Sequence, residues 1–286
     1  MTLQVGTVEN LIVKRKMESG YVLSDGETEV LLHHNEATES LEEGKEVDVF
    51  LYQDKKGQTV GTMAIPEIQF NIYDWAKVVE KVSNLGVFVN IGIQKEILVS
   101  KDDLPLYEEV WPIPGDELFV CLDIDKKGRL LAVPVNEEMI NQERDHAQIS
   151  ILNKKIEGRV YRATKTGSFI ITEQGIRGFI HPSERTREPR MGEWVSGRTI
   201  AVHEDGTINI SLLPLKHERL YEDAETILSF IRENGGEMPL SDKSDPELIN
   251  DFFQLSKSAF KRALGRLMKE GKVEQVNGKT ILKNMK

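Results

Sequence analysis

The feature that most limits how this chain can fold is an internal repeat. Asp54-Lys55-Lys56-Gly57 recurs as Asp125-Lys126-Lys127-Gly128, 71 residues later. Each copy follows an apolar run (Val47 to Tyr52, Leu118 to Ile124) and precedes another (Thr59 to Met63, Leu130 to Val133). Asp-x-x-Gly between two β-forming runs reads as a hairpin turn in which glycine supplies the positive φ. Glu204-Asp205-Gly206, ahead of Ile208-Asn209-Ile210-Ser211-Leu212, is a third copy, its glycine 78 residues beyond the second. The agreement extends upstream. Each copy opens with a β-rich run, at Gly6-Thr7-Val8, Ala76-Lys77-Val78-Val79 and Gly158-Arg159-Val160. A glycine-led strand follows: Gly20-Tyr21-Val22-Leu23, Gly86-Val87-Phe88-Val89, Gly167-Ser168-Phe169-Ile170. A third strand ends in His33, Ser100 and His181, and Gly44, Gly115 and Gly192 lead the fourth. Five short strands in about 60 residues is the count of an OB-type barrel, whose closure removes the edges such strands would expose.

The period changes after Glu222. Ala224, Ile227, Leu228 and Ile231 recur at three and four residues, predicting a helix that stops at Asn234-Gly235-Gly236. Asp245-Pro246 starts a second helix. Ser256 caps a third, which runs from Lys257 to about Glu270, with Gly271 as its stop. Val273–Val276 and Thr280–Leu282, joined by Asn277-Gly278, form a hairpin. Three helices and a hairpin make a winged helix. The expected architecture is mainly β with a C-terminal α+β domain: OB-fold barrels over residues 1–66, 67–140 (a degenerate copy) and 153–214, then a winged helix over 220–286.

A net charge of −10 argues at first against nucleic acid, since phosphate binding needs Lys and Arg. The distribution reverses that inference. Residues 1–153 carry 14 basic and 28 acidic side chains, whereas residues 154–213 carry 10 and 7 and residues 252–286 carry 9 and 2. Two basic segments in an acidic chain create local potentials that the total conceals. The single cysteine, Cys121, cannot form an internal disulfide. No run of about 18 apolar residues occurs, and the N-terminus lacks the basic and apolar regions of a secretory signal. A reduced, cytoplasmic protein without membrane contact is expected. His33 and His34 are adjacent on a strand and point to opposite faces, so no metal site is expected there.

The third repeat resembles the S1 RNA-binding domain of ribosomal proteins and ribonucleases. The resemblance is carried by Gly158-x-Val160, Gly167-Ser168-Phe169-Ile170, Gly178-Phe179-Ile180-His181-Pro182-Ser183-Glu184, Gly192, Val195 and Ile208-Asn209-Ile210-Ser211. It implies an S1-like barrel in which Phe169 and His181 contact bases. Phe179 adjoins that pair in sequence, and alternation turns its side chain away from that of Ile180. Arg159, Arg162, Lys165, Arg177 and Arg198 would reach phosphate, because single-stranded RNA is held by ring stacking and by cations along its backbone. The repeat departs from the family at Thr166, where an aromatic is frequent, at His203, where Asp is frequent, and at Thr207, where a basic residue is frequent. Repeat two keeps Phe88, Asp125 and Arg129 but has Ser100 in place of His; repeat one keeps Tyr21, His33 and Asp54.

On the third helix of the C-terminal module, Phe260, Ala263, Leu264, Leu267 and Met268 fall on one side. Arg262, Arg266 and Lys269 fall on the other, with Lys261 on the flank. In a helix-turn-helix this element enters a groove. Lys272, Lys279 and Lys283 place charge on or beside the wing. Three S1-like barrels followed by a winged helix resemble the conserved virulence factor B family of Gram-positive bacteria. That resemblance implies a non-enzymatic, RNA-binding regulator of gene expression. Single-stranded RNA is the expected partner, with duplex nucleic acid or the ribosome as further candidates and no cofactor or small-molecule substrate. The competing readings are a transcription regulator reading duplex DNA through the winged helix, a nuclease, and a ribosome-associated docking scaffold. The Asp-Lys-Lys-Gly turns do not cluster carboxylates as a two-metal nuclease requires.

Overall fold

A computed structural model describes residues 3–283 of the 286-residue chain. The chain divides into two compact units after Leu212. The first unit holds three closed five-stranded barrels. Barrel one is built from β1 (Val8–Met17), β2 (Gly20–Ser24), β3 (Glu29–His33), β4 (Glu46–Gln53) and β5 (Thr59–Thr62). Barrel two comprises β6 (Asp74–Val82), β7 (Gly86–Asn90), β8 (Ile97–Ser100), β9 (Glu117–Ile124) and β10 (Leu130–Pro134). Barrel three comprises β11 (Lys155–Thr164), β12 (Gly167–Thr172), β13 (Arg177–Ile180), β14 (Trp194–Val202) and β15 (Ile208–Ser211). In each, the third and fifth strands close the sheet with a parallel pairing, and the remaining pairings are antiparallel.

The repeat persists to the level of single hydrogen bonds. Gly44, Gly115 and Gly192 donate their N–H to the carbonyls of Val13, Val78 and Val160, at 2.8, 2.9 and 2.7 Å. All three glycines have φ between +82° and +101°, where a Cβ is strained. At those same valines the register of the first strand slips by one residue, a bulge that bends the long strand around the barrel. In the Asp-x-x-Gly turns, Asp54 accepts from the backbone of Lys56 and Gln58, and Asp125 from that of Lys127 and Arg129. In the third turn His203 takes the first position, and Asp205 accepts instead from Thr207.

The barrels pack against one another along the first unit. Phe50 and Tyr52 alternate with the interior residues Val49 and Leu51 of barrel one and join the core of barrel two. Barrels two and three are tied by main-chain bonds, Met191 N–H to Val110 O at 3.0 Å and Glu117 N–H to Gly192 O at 3.2 Å. Arg190 adds a two-pronged bond to the buried Asp116, at 3.1 and 3.2 Å. The stretch between these barrels contains a helix, α1 (Glu137–Glu143), capped by the Asn136 side chain accepting from Met139 N–H at 2.9 Å. Seven residues are too few to show apolar periodicity, although Asn followed by two glutamates is a helix-start pattern.

The second unit contains α2 (Lys216–Glu233), β16 (Glu237–Met238), α3 (Pro246–Phe253), α4 (Lys257–Lys269), β17 (Val273–Val276) and β18 (Lys279–Leu282). Asn277 and Gly278 both have positive φ, as the tight hairpin turn requires. The two-residue β16, not foreseen from the sequence, adds a third strand beside β18. Phe260, Ala263, Leu264 and Leu267 of α4 are fully buried against α2, as their spacing predicts. Met268, assigned to that apolar side, is exposed and lies outside the core that α4 shares with α2. Ser256 caps α4 by accepting from Ala259 N–H. Ser256→Ala should therefore lower the stability of this unit by about 1 kcal/mol, read as a shift in its chemical-denaturation midpoint.

Candidate nucleic-acid interface

Strand register assembles the outer face of barrel three. Phe169 on β12 pairs with Phe179 on β13, so their side chains lie on one side of the sheet, opposite the buried Ile170 and Ile180. His181, two residues beyond Phe179, shares that side. The ring centroids are 5.0 Å apart for Phe169 and Phe179 and 6.4 Å for Phe179 and His181. Both phenylalanines are half-buried and His181 is exposed. Phe179 was absent from the residues singled out by sequence, although its parity with His181 places it on the face. Its ring lies over Gly167, where a Cβ would come within 2.3 Å of it. The His181 Nδ1 accepts from Ser183 N–H at 3.2 Å, capping the short turn Pro182–Glu184 and leaving Nε2 as the outward donor. The histidine is thus both a local cap and an exposed ring.

Two of the expected cations sit on the same face. The guanidinium of Arg177 lies 5.0 Å from the Phe169 centroid and that of Arg162 lies 5.8 Å from it. Both are bonded to Glu137 of α1, Arg162 at 3.2 Å and Arg177 through a close ion pair. Arg177 also donates to the Tyr161 hydroxyl at 3.1 Å, and burial pushes that hydroxyl up to about 12, keeping it protonated at neutral pH. Lys165 is exposed, 5.7 Å from the Tyr107 ring of barrel two, and Arg198 is half-buried on β14.

Arg159 is placed differently from its expected role. It sits between the indoles of Trp75 and Trp194, at 5.3 and 5.1 Å, and is ion-paired with Glu117 at 2.6 Å. It stitches barrel two to barrel three and is not held out for phosphate. Tyr21 is also corrected. It is 2% exposed, belongs to the core of barrel one, and its hydroxyl accepts from Leu41 N–H. The residue two beyond the leading glycine faces outward, Phe88 and Phe169 in barrels two and three, and in barrel one that residue is Val22. Tyr21 stands one residue too early, and one step along a strand reverses the face. The outer trio of barrel one is therefore Val22, Leu31 and the half-buried His33, with Leu31 packed on barrel two. That of barrel two is Phe88, Leu98 and Ser100. Arg129 is exposed and paired with Asp125 at 2.7 Å.

Six of the seven cations expected on the winged helix divide into two groups. Lys261, Arg262 and Lys269 are exposed and, among the described residues, form no ion pair. Arg266 is bonded to Glu270 at 2.8 Å and lies 4.8 Å from the Tyr221 ring. Lys272 is paired with Glu270 and Glu225, and Lys279 with Glu237. Lys283 is exposed. Among the described residues no group of three His, Cys, Asp or Glu is arranged to hold a metal, and no helix is long and apolar enough to cross a membrane.

Comparison with known proteins turns on the whole chain. It is 40% identical, over 97% of its length and 94% of the relative, to conserved virulence factor B of Staphylococcus saprophyticus. The chain belongs to the conserved virulence factor B family. It is 47% identical to the uncharacterized protein YitL of Bacillus subtilis, over 99% of this chain and 95% of that one. Residues 73–133 match the CvfB first S1-like domain, residues 140–214 the second domain of the virulence regulatory factor CvfB, and residues 225–282 the CvfB-like winged helix domain. The general S1 domain description falls on residues 5–64, the first repeat. A crystal structure of a multidomain protein with nucleic acid binding domains from Streptococcus pneumoniae superposes with a TM-score of 0.67 at 36% identity, covering 97% of this chain and 98% of that one.

Proposed function

We propose that this virulence factor B homologue is a non-enzymatic protein that binds single-stranded RNA and acts in post-transcriptional control of gene expression. The observation that carries the reading is the outer face of barrel three, where Phe169, Phe179 and His181 form a row of rings flanked by Arg162 and Arg177. Unpaired bases stack on such rings and phosphates follow the cations. The equivalent faces of barrels one and two, Val22-Leu31-His33 and Phe88-Leu98-Ser100, carry no such row of rings, so those faces serve as spacers or weak sites. The family membership supports the reading, as does the likeness to a pneumococcal protein described as having nucleic acid binding domains. The free cations of α4, Lys261, Arg262 and Lys269, supply a second contact to the strand. The test is competition: a labelled single-stranded RNA octamer should be displaced by unlabelled single-stranded RNA and poorly by duplex DNA of equal length. Preferential displacement by duplex DNA would favour a winged-helix transcription regulator instead.

Glu137 moderates this face, because it neutralises the two arginines that would meet phosphate. A partly exposed ion pair contributes roughly 0.2–1 kcal/mol. Glu137→Gln, which keeps the side-chain shape and removes the charge, should raise affinity for the octamer by roughly two- to fivefold in fluorescence anisotropy. A drop in affinity would mean that Glu137 orients the arginines for binding.

A further inference from the structure

Along the seam of barrels two and three runs a continuous row of flat groups, beyond the Phe169–Phe179–His181 row and meeting the same small cluster of Val135, Ile140 and Tyr161 that Phe169 packs against. Tyr73 and Phe119 have centroids 5.8 Å apart, Phe119 and Trp75 5.1 Å, and the Arg159 guanidinium stands 5.3 Å from Trp75 and 5.1 Å from Trp194. The row lines a cleft of about 640 Å³ that also meets Arg144 and Ile72. That volume lies within the range of small-ligand sites. Trp194 keeps 39% of its surface open and Ile72 52%. Arg159 has its charge met by Glu117, so it acts here as a flat filler that holds the two indoles. Arg144 uses its terminal nitrogens on Asp205, at 2.8 Å to the carbonyl and 3.8 Å to the carboxylate, whereas its buried Nε–H meets no acceptor. A buried donor left without a partner costs about 1–3 kcal/mol.

We propose that this inter-barrel cleft is a base pocket: it receives one unstacked nucleobase of the bound strand against Trp194 and Trp75. The inference rests on the RNA-binding reading above and adds a second place where the strand is gripped. The chemistry matches a base rather than a phosphate. The cations in the cleft are already answered by Glu117 and Asp205, leaving ring faces for stacking. Aliphatic ligands would use the open volume but not the planar row.

The protein's tryptophans report on this directly. Trp75 and Trp194 line the cleft, and the third, Trp111, is buried in barrel two with its Nε1–H donating to Pro105 O. Titrating the full chain with single-stranded octamers of U, A or C should quench indole fluorescence in parallel with the rise in anisotropy. Trp194→Ala should remove most of the quench and weaken octamer binding roughly 5- to 150-fold, the equivalent of one lost stack. Ile72→Glu, a change at an exposed rim position that leaves every core residue in place, should weaken binding in the same direction, with circular dichroism confirming the fold of both variants. Octamer binding that Phe179→Ala weakens while Trp194→Ala and Ile72→Glu leave it unchanged would overturn the base pocket and keep the barrel-three reading. No octamer binding to the unaltered chain would overturn both. Quenching by a proline-rich peptide but not by any octamer would make the cleft a peptide groove and sink the proposal.

Discussion

Replacing Phe179 with alanine is expected to weaken binding of a single-stranded RNA octamer by roughly 5- to 150-fold, and replacing Phe169 and Phe179 together by roughly 30-fold or more. Each ring offers one stacking face, and loss of a base–aromatic stack costs about 1–3 kcal/mol. The two rings touch at 5.0 Å, so their losses should not add, and the double variant is the stricter test. Phe179→Ala is the cleaner single change. Phe169 also packs against the small buried cluster of Val135, Ile140 and Tyr161, so its removal loosens that cluster. Phe179 lies outside that cluster, over the backbone of Gly167. Anisotropy with thermal unfolding on the same samples separates lost stacking from lost fold. Full affinity in the double variant would remove barrel three from the binding model.

Neutralising Lys261, Arg262 and Lys269 together to glutamine should reduce the slope of log affinity against log salt by about 2. Each phosphate contact on a single strand contributes roughly 0.7 to that slope. These three are the right set because none is engaged elsewhere among the described residues; Arg266, their neighbour on α4, is committed to Glu270 and Tyr221. Exposed and unpaired, they can be changed with little effect on the winged-helix core. An unaltered slope would show that α4 does not touch phosphate, and the module would then be better explained as a protein contact.

The candidate site was half legible before the structure. Phe169, His181, Arg162 and Arg177 come together on one face, and Phe179 could have been added by counting parity from His181. Tyr21 and Arg159 failed for different reasons. Tyr21 was matched to Phe169 through a shared glycine-aromatic pattern, but one position of offset sends the side chain into the core. Arg159 sits on an outward position as expected, and only a second barrel lying against that position could occupy it. The division of the winged-helix cations into free and paired likewise depends on where Glu225, Glu237 and Glu270 lie in space.

By itself the sequence determined the three barrels, the five strands of each and the winged helix. These follow from local rules: alternation along strands, glycines where φ is positive, capping residues and the 3.6-residue period of helices. Each rule acts over a few residues, so each leaves a mark in the chain. Only the tertiary structure decided that α1 would lay Glu137 across the arginines of barrel three, that barrels two and three would lock through Arg190 and Asp116, and that Trp75 and Trp194 would meet around Arg159. Trp75 and Trp194 are far apart in the chain, and nothing in the local pattern of either encodes the other. Such pairings arise when closed barrels bury the surfaces that their own cores leave uncovered.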